Sequence, residues 1–146
     1  MKLYLAGPLF TEAEQNWLKA LQRELEALGY AVLWPYELFD QEEVKTWGEA
    51  TARKLMEGCR DALLSCDMVV ALLDGTQVDD GTAWEIGYAC ARGLPVVGIR
   101  TDARYGGETR DGKVNAMIAG SCHALCGSRK ELVDTLLRSF PPRRLA

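Results

Sequence analysis

The chain has 146 residues, 48% of them hydrophobic and 26% charged, and 17 Lys and Arg stand against 21 Asp and Glu for a formal net charge of −4. At that length roughly two-thirds of the unfolded surface can be buried, so a single domain over residues 1–146 is expected to hold a core without metals or disulfides. A mildly acidic chain with no Lys/Arg cluster lacks the electrostatic footprint of a duplex DNA or RNA binder, which leaves small molecules as the expected partners.

Leu3 to Ala6 is a short apolar run closed by Gly7-Pro8, as suits a buried strand emptying into a loop. Thr11 to Glu14 has the spacing of a capping box, and Trp17, Leu18, Leu21, Leu25 and Leu28 form a stripe at helical period that Gly29 ends. Ala31 to Trp34 reads as a second strand stopped by Pro35, and Asp40 to about Ser65 as mostly helical. Met68 to Leu73 is apolar without interruption, which marks a central strand covered on both faces in a parallel sheet. Gly81 to Arg92 reads as a helix, Pro95 to Ile99 as a fourth strand, and residues 100 to 113 as a mobile surface loop rich in Gly and charge. A short fifth strand around Ser121 to Cys126 precedes a last helix, capped by Ser128 and Glu131 and ended by Pro141-Pro142. Strand and helix alternate throughout, so the class is α/β.

No run approaches the roughly 20 apolar residues of a membrane span, and the opening segment is too short for a secretory signal, so a soluble, cytoplasmic protein is expected. Five cysteines without a C-x-x-C pair read as reduced thiols, mostly buried, and one histidine excludes a His-based metal cluster.

In an open parallel sheet ligands bind beyond the carboxyl ends of the strands. The loops there carry neither G-x-G-x-x-G nor a P-loop, which argues against the usual dinucleotide and phosphate cradles. Asp79-Asp80-Gly81-Thr82-Ala83-Trp84-Glu85 does place two carboxylates before a helix and a third about one turn inside it. By position Glu85 feels the positive end of the helix dipole and is expected to stay ionised, the state a nucleophile needs. The same pattern also fits plain caps and a first-turn charge. A Cys-His site built on His123 with Cys122 or Cys126 has no separate orienting carboxylate in view.

Tyr4-Leu5-Ala6-Gly7-Pro8-Leu9-Phe10, Asp67 with Leu73-Asp74-Gly75, the segment Asp79 to Gly87, and Asn115-Ala116-Met117 stand in an order and spacing that closely resembles the nucleoside 2-deoxyribosyltransferases over residues 2 to about 120. The resemblance implies a flavodoxin-like, Rossmann-like three-layer fold with a five-stranded parallel sheet. It also implies an enzyme that moves 2-deoxyribose between purine or pyrimidine bases with no cofactor and no metal. Its substrates would be 2′-deoxynucleosides and free nucleobases. By match of position, Glu85 stands at the nucleophile, Tyr4 at the tyrosine that orients it, and Asp79 at the sugar-binding carboxylate. Gly7, Phe10 and Gly81 match the substrate loops. Asn115 and Met117 match an element that reaches a neighbouring subunit's site, which implies a homo-oligomer between dimer and hexamer. A sister group, the 2′-deoxynucleoside 5′-phosphate N-hydrolases, carries small hydroxyl residues where this chain has Asp79 and Asn115. A carboxylate at 79 repels a 5′-phosphate and accepts from a free 5′-hydroxyl, which favours nucleosides. N-glycoside hydrolysis is the alternative activity, and a non-catalytic nucleoside-binding module a third. The family's base-contacting Asp or Asn is replaced here by Cys59. Asp61, the nearest carboxylate in sequence, is the candidate substitute, although it lies about 200° further round a helix, and Glu37 and Asp40 are others by location.

Overall fold

The computed structural model describes residues 1–104 and 112–142. In β1 (Lys2–Ala6) the period-two alternation sends Leu3 and Leu5 into one apolar cluster and Tyr4 and Ala6 into another. The same division holds in β3 (Met68–Leu72), where Met68, Val70 and Leu72 join the first cluster and Val69 and Ala71 the second. Both faces of the sheet are therefore covered, as the unbroken apolar runs require. β2 (Ala31–Leu33), β4 (Val96–Ile99) and β5 (Ala124–Cys126) complete it, all pairs are parallel, and the strand order is β2-β1-β3-β4-β5.

Helix α1 (Glu12–Ala27) packs on the first face through Leu18, Leu21 and Leu25. Its capping box is closed by Thr11 and Glu14, and Gly29 turns the chain at φ 93°. The segment read as mostly helical from Asp40 is broken. A four-residue helix, α2 (Gln41–Val44), is capped by Asp40, a 3-10 turn covers Gly48–Ala50, and α3 (Thr51–Leu64) follows. Gly48, at φ 55°, supplies the left-handed turn that stops a single helix from running through. On the second face α3 and α4 (Asp80–Ala91) lie with α5 (Ala116–Ser121), contributing Leu63, Ile86 and Ile118 to its cluster. α6 (Arg129–Ser139) returns to the first face with Leu132 and Leu136. The fifth strand is shorter at its start than Ser121 to Cys126, because Asn115 caps α5 and holds the chain helical through Ser121. Of the loop read over residues 100 to 113, the stretch 105–111 lies outside the described residues. No helix among the described residues is long and apolar enough to cross a membrane.

The exits of β3 and β4 are clamped together. Asp74 accepts from the Thr101 backbone N–H at 2.6 Å and from the Asp102 N–H at 3.0 Å. The buried Arg100 guanidinium donates to the carbonyls of Leu73 and Gly75 at 2.5 and 2.9 Å. These bonds anchor the start of the loop that leads to Asp79.

Gly98 in β4 faces a close approach: a Cβ there would stand 2.6 Å from Leu73 Cδ1 and 2.9 Å from Leu125 Cδ2. Gly98→Ala is expected to destabilise the fold by about 1–3 kcal/mol, the usual cost of overpacking, measured as a lowered urea midpoint. An unchanged midpoint would show that the two leucines yield freely.

Candidate active site

Tyr4 sits in the middle of β1 with no solvent exposure. Its place in the alternation aims it at α4, and there its hydroxyl donates to Glu85 Oε1 at 2.5 Å. The two residues are 81 positions apart in sequence, so the bond exists only because β1 and α4 share one face of the sheet. The Cys59 thiol, from α3, lies within hydrogen-bonding reach of the same phenol.

Asp79 caps α4 and also faces the site. Its Oδ2 accepts from the Thr82 N–H at 2.8 Å and the Thr82 hydroxyl at 2.9 Å. Asp79, Thr82 and Glu85 share a small cavity with Gly7, Phe10 and Gly81. Gly7 lets its loop approach closely, since a Cβ would stand 3.1 Å from Leu72 Cβ and 3.2 Å from the Leu18 methyls. Glu14 holds the other end of that loop by accepting from the Phe10 and Thr11 N–H groups at 3.1 and 2.8 Å, and Phe10 stands 75% exposed over the cavity.

Burial dominates the electrostatics. It pushes the Glu85 carboxyl up to about 7, against the bond from Tyr4, and the negative Asp79 adds to the rise. Desolvation of the carboxylate thus works against the helix dipole, which by position alone favours the ionised form. The Tyr4 phenol is driven far above its ordinary range by burial and by Glu85, so it acts as a donor. Burial and Glu85 together raise the Cys59 thiol, which stays neutral.

The structure thus brings together Tyr4, Gly7, Phe10, Asp79, Gly81 and Glu85, with Cys59 among them. It does not bring Asp61: that side chain is 66% exposed and paired with Arg60 at 2.8 Å, because two residues on from Cys59 the helix faces away. Glu37 accepts from Gln22 at 3.0 Å and Asp40 is spent as a cap. Asn115 accepts from the Met117 N–H at 2.9 Å and lines a separate cavity of about 250 Å³ beside Arg100 and Lys113, while Met117 is 79% exposed. Within one chain neither lines the cavities around Glu85. Trp84, stacked on Tyr88 with centroids 5.1 Å apart, forms a wall missed in the sequence, although its place beside Glu85 was a signal. Among the described residues no three His, Cys, Asp or Glu side chains converge in a way that would hold a metal ion.

The sequence model described as Nucleoside 2-deoxyribosyltransferase matches residues 3–117. The chain belongs to that family. An uncharacterized protein of Schizosaccharomyces pombe, C191.05c, is 31% identical over 110 residues, 70% of this chain and 51% of its own length, so the chain spans about half of that curated relative. A 2-deoxyribosyltransferase from Bacillus psychrosaccharolyticus superposes with a TM-score of 0.79 at 24% identity, covering 98% of both chains. A CMP N-glycosidase from Clostridium botulinum does so at 0.58 and 24% identity, over 93% of this chain and 97% of its own. The strand order and the two-face division of helices are thus those of the family's fold.

Because folding raises the Glu85 carboxyl from 4.5 to about 7, its favourable contribution is fully present below the unfolded value and is lost as pH rises through the folded one. Glu85→Gln, which still accepts from Tyr4, is expected to stabilise the fold by up to about 3 kcal/mol at pH values above 7 and to change little at low pH, read by denaturant melts. Tyr4→Phe removes a bond that favours the carboxylate and should move the Glu85 titration upward in a carbon-13 NMR experiment. A downward move would contradict the assigned balance.

Proposed function

We propose that the chain cleaves the N-glycosidic bond of 2′-deoxynucleosides and passes the deoxyribosyl group to a second base. The observation that carries this reading is the 2.5 Å bond from the buried Tyr4 phenol to Glu85 at the edge of an apolar cavity. Glu85, in its ionised form, attacks C1′ as the bond to the base breaks, and the departing base takes the bonding electron pair. The state between them is oxocarbenium-like, and a deoxy sugar reaches it readily because no 2′-hydroxyl withdraws electrons. The product is a deoxyribosyl ester on Glu85. Attack at C1′ by a ring nitrogen of an incoming base, which gives up its N–H proton, then breaks the ester bond, frees the Glu85 carboxylate and restores the configuration, as in retaining glycosidases.

A carboxyl near 7 is partly ionised at neutral pH, and a partly desolvated carboxylate is drawn strongly toward positive charge developing at C1′. Tyr4 holds it in one orientation, and Asp79 offers an acceptor to a free 5′-hydroxyl while repelling a 5′-phosphate. Hydrolysis is the second reading, favoured by the fold likeness to a CMP N-glycosidase, with water in place of the second base. A chromatographic exchange assay with deoxyinosine or thymidine as donor and a panel of acceptor bases separates the two. A new nucleoside is the transferase result, and free deoxyribose alone is the hydrolase result.

Glu85→Gln is expected to lower the rate by several orders of magnitude with substrate binding largely kept, well beyond the ~10²-fold cost of a misplaced contact. A 2-fluoro-2-deoxy nucleoside should leave its label on the Glu85 peptide in mass spectrometry. A label elsewhere, or a variant within tenfold of the parent, sinks the mechanism. Asn115 and Met117 are proposed to complete the site of a neighbouring copy in a homo-oligomer. Analytical ultracentrifugation should show at least a dimer, and a fully active monomer would overturn this part.

A further inference from the structure

The site is larger than its chemistry needs. Beside the Glu85 cavity of about 400 Å³ lies an outer chamber of about 510 Å³ that Glu85 does not line. The two share Phe10, Leu55 and Cys59, so the chamber is continuous with the reacting end and opens past a small, neutral thiol. Its size alone falls within the range of pockets that take drug-sized ligands.

Its walls are apolar and held in place. Tyr36 stacks on Trp34 with centroids 4.7 Å apart, and Phe39 meets Trp47 edge-on at 5.7 Å. Phe39 lies so close to α3 that a Cβ on Gly58 would stand 2.5 Å from its ring. Apart from the Tyr36 hydroxyl and the Cys59 thiol, the polar side chains lining the chamber are Gln15 and Gln41, with neither carboxylate nor cation among them, and the Gln15 amide already donates to the Leu9 carbonyl at 2.9 Å. Such a chamber offers a bare base's hydrogen-bonding edge little, yet its apolar surface gains wherever a ligand displaces water from it.

We infer that this chamber is a subsite for an extension of the base, and that the chain prefers deoxynucleosides whose base carries an apolar or aromatic substituent over those with a bare base. The inference rests on the proposed glycosidic activity and adds the class of leaving group. With the sugar at Asp79 and Glu85, the base passes Cys59 and its substituent lies against Tyr36, Phe39 and Val44. Selection here is by size and apolarity, which a hydrophobic pocket does by tens-fold steps.

The test compares 2′-deoxyadenosine with N6-benzyl-2′-deoxyadenosine on the full chain, following base release by chromatography. The benzylated substrate is expected to have kcat/KM higher by ~10-fold or more, chiefly through KM, since the added contacts act on ground and transition states alike. Val44→Trp, which fills the chamber from α2, should bring the ratio to one or below. An equal or lower value for the benzylated substrate in the parent overturns the inference, as does a ratio that Val44→Trp leaves unchanged. Should that variant not fold, calorimetric titration of the parent with adenine and N6-benzyladenine decides: ~10-fold tighter binding of the latter is expected, and equal affinities overturn the inference. Activity on the bare base alone defeats the inference and leaves the proposed function standing. Release of base from neither substrate defeats both.

Discussion

The hydrogen bond between Tyr4 and Glu85 is the constraint on which the rest depends. A tyrosine at the third position of a five-residue strand and a glutamate at the sixth position of a helix can meet only if β1 lies beside β3 and α4 crosses the face to which even-numbered residues of β1 point. The parallel register of Tyr4 with Val69 and the burial of Ile86 and Ala89 on α4 satisfy both conditions. Sheet order, strand parity and helix placement thus converge on a single oxygen-to-oxygen contact.

Around it the protein balances opposing demands. A carboxylate in water is stable but unreactive, and one stripped of water entirely would hold its proton. Here burial and Asp79 push Glu85 toward protonation, and the phenol pulls it back. The compromise near neutrality is a property of the fold, since the desolvating groups come from the loop after β1, from α3 and from α4 itself.

Much of this was legible in the sequence, for identifiable reasons. The apolar runs at Leu3 and Met68 could only be buried strands, the Thr11 capping box announced α1, and Asp79 with Glu85 marked a helix start bearing unusual charge. What escaped were quantities set by distant neighbours. The dipole argument for Glu85 used only its own helix, whereas its environment is made by residues as far off as Phe10 and Cys59. Helical phase decided between Cys59 and Asp61, and it turned the thiol inward. The walls at Tyr36, Phe39 and Val44 follow no period, because they lie on short turns and a four-residue helix. Arg100 showed only as a charge after a strand, although its guanidinium proves to be buried and to tie two strand exits together.

The division of labour between these parts bears on how such a protein can change. Tyr4 and Glu85 rest on β1 and α4, where any alteration disturbs the core as well. The chamber wall sits on the insertion between β2 and α3, whose helix α2 contributes no buried residue. Substitutions on α2 meet little resistance from folding, so the shape of the chamber can drift there while the Tyr4–Glu85 pair stays fixed. The architecture separates a variable rim from a floor fixed by the core.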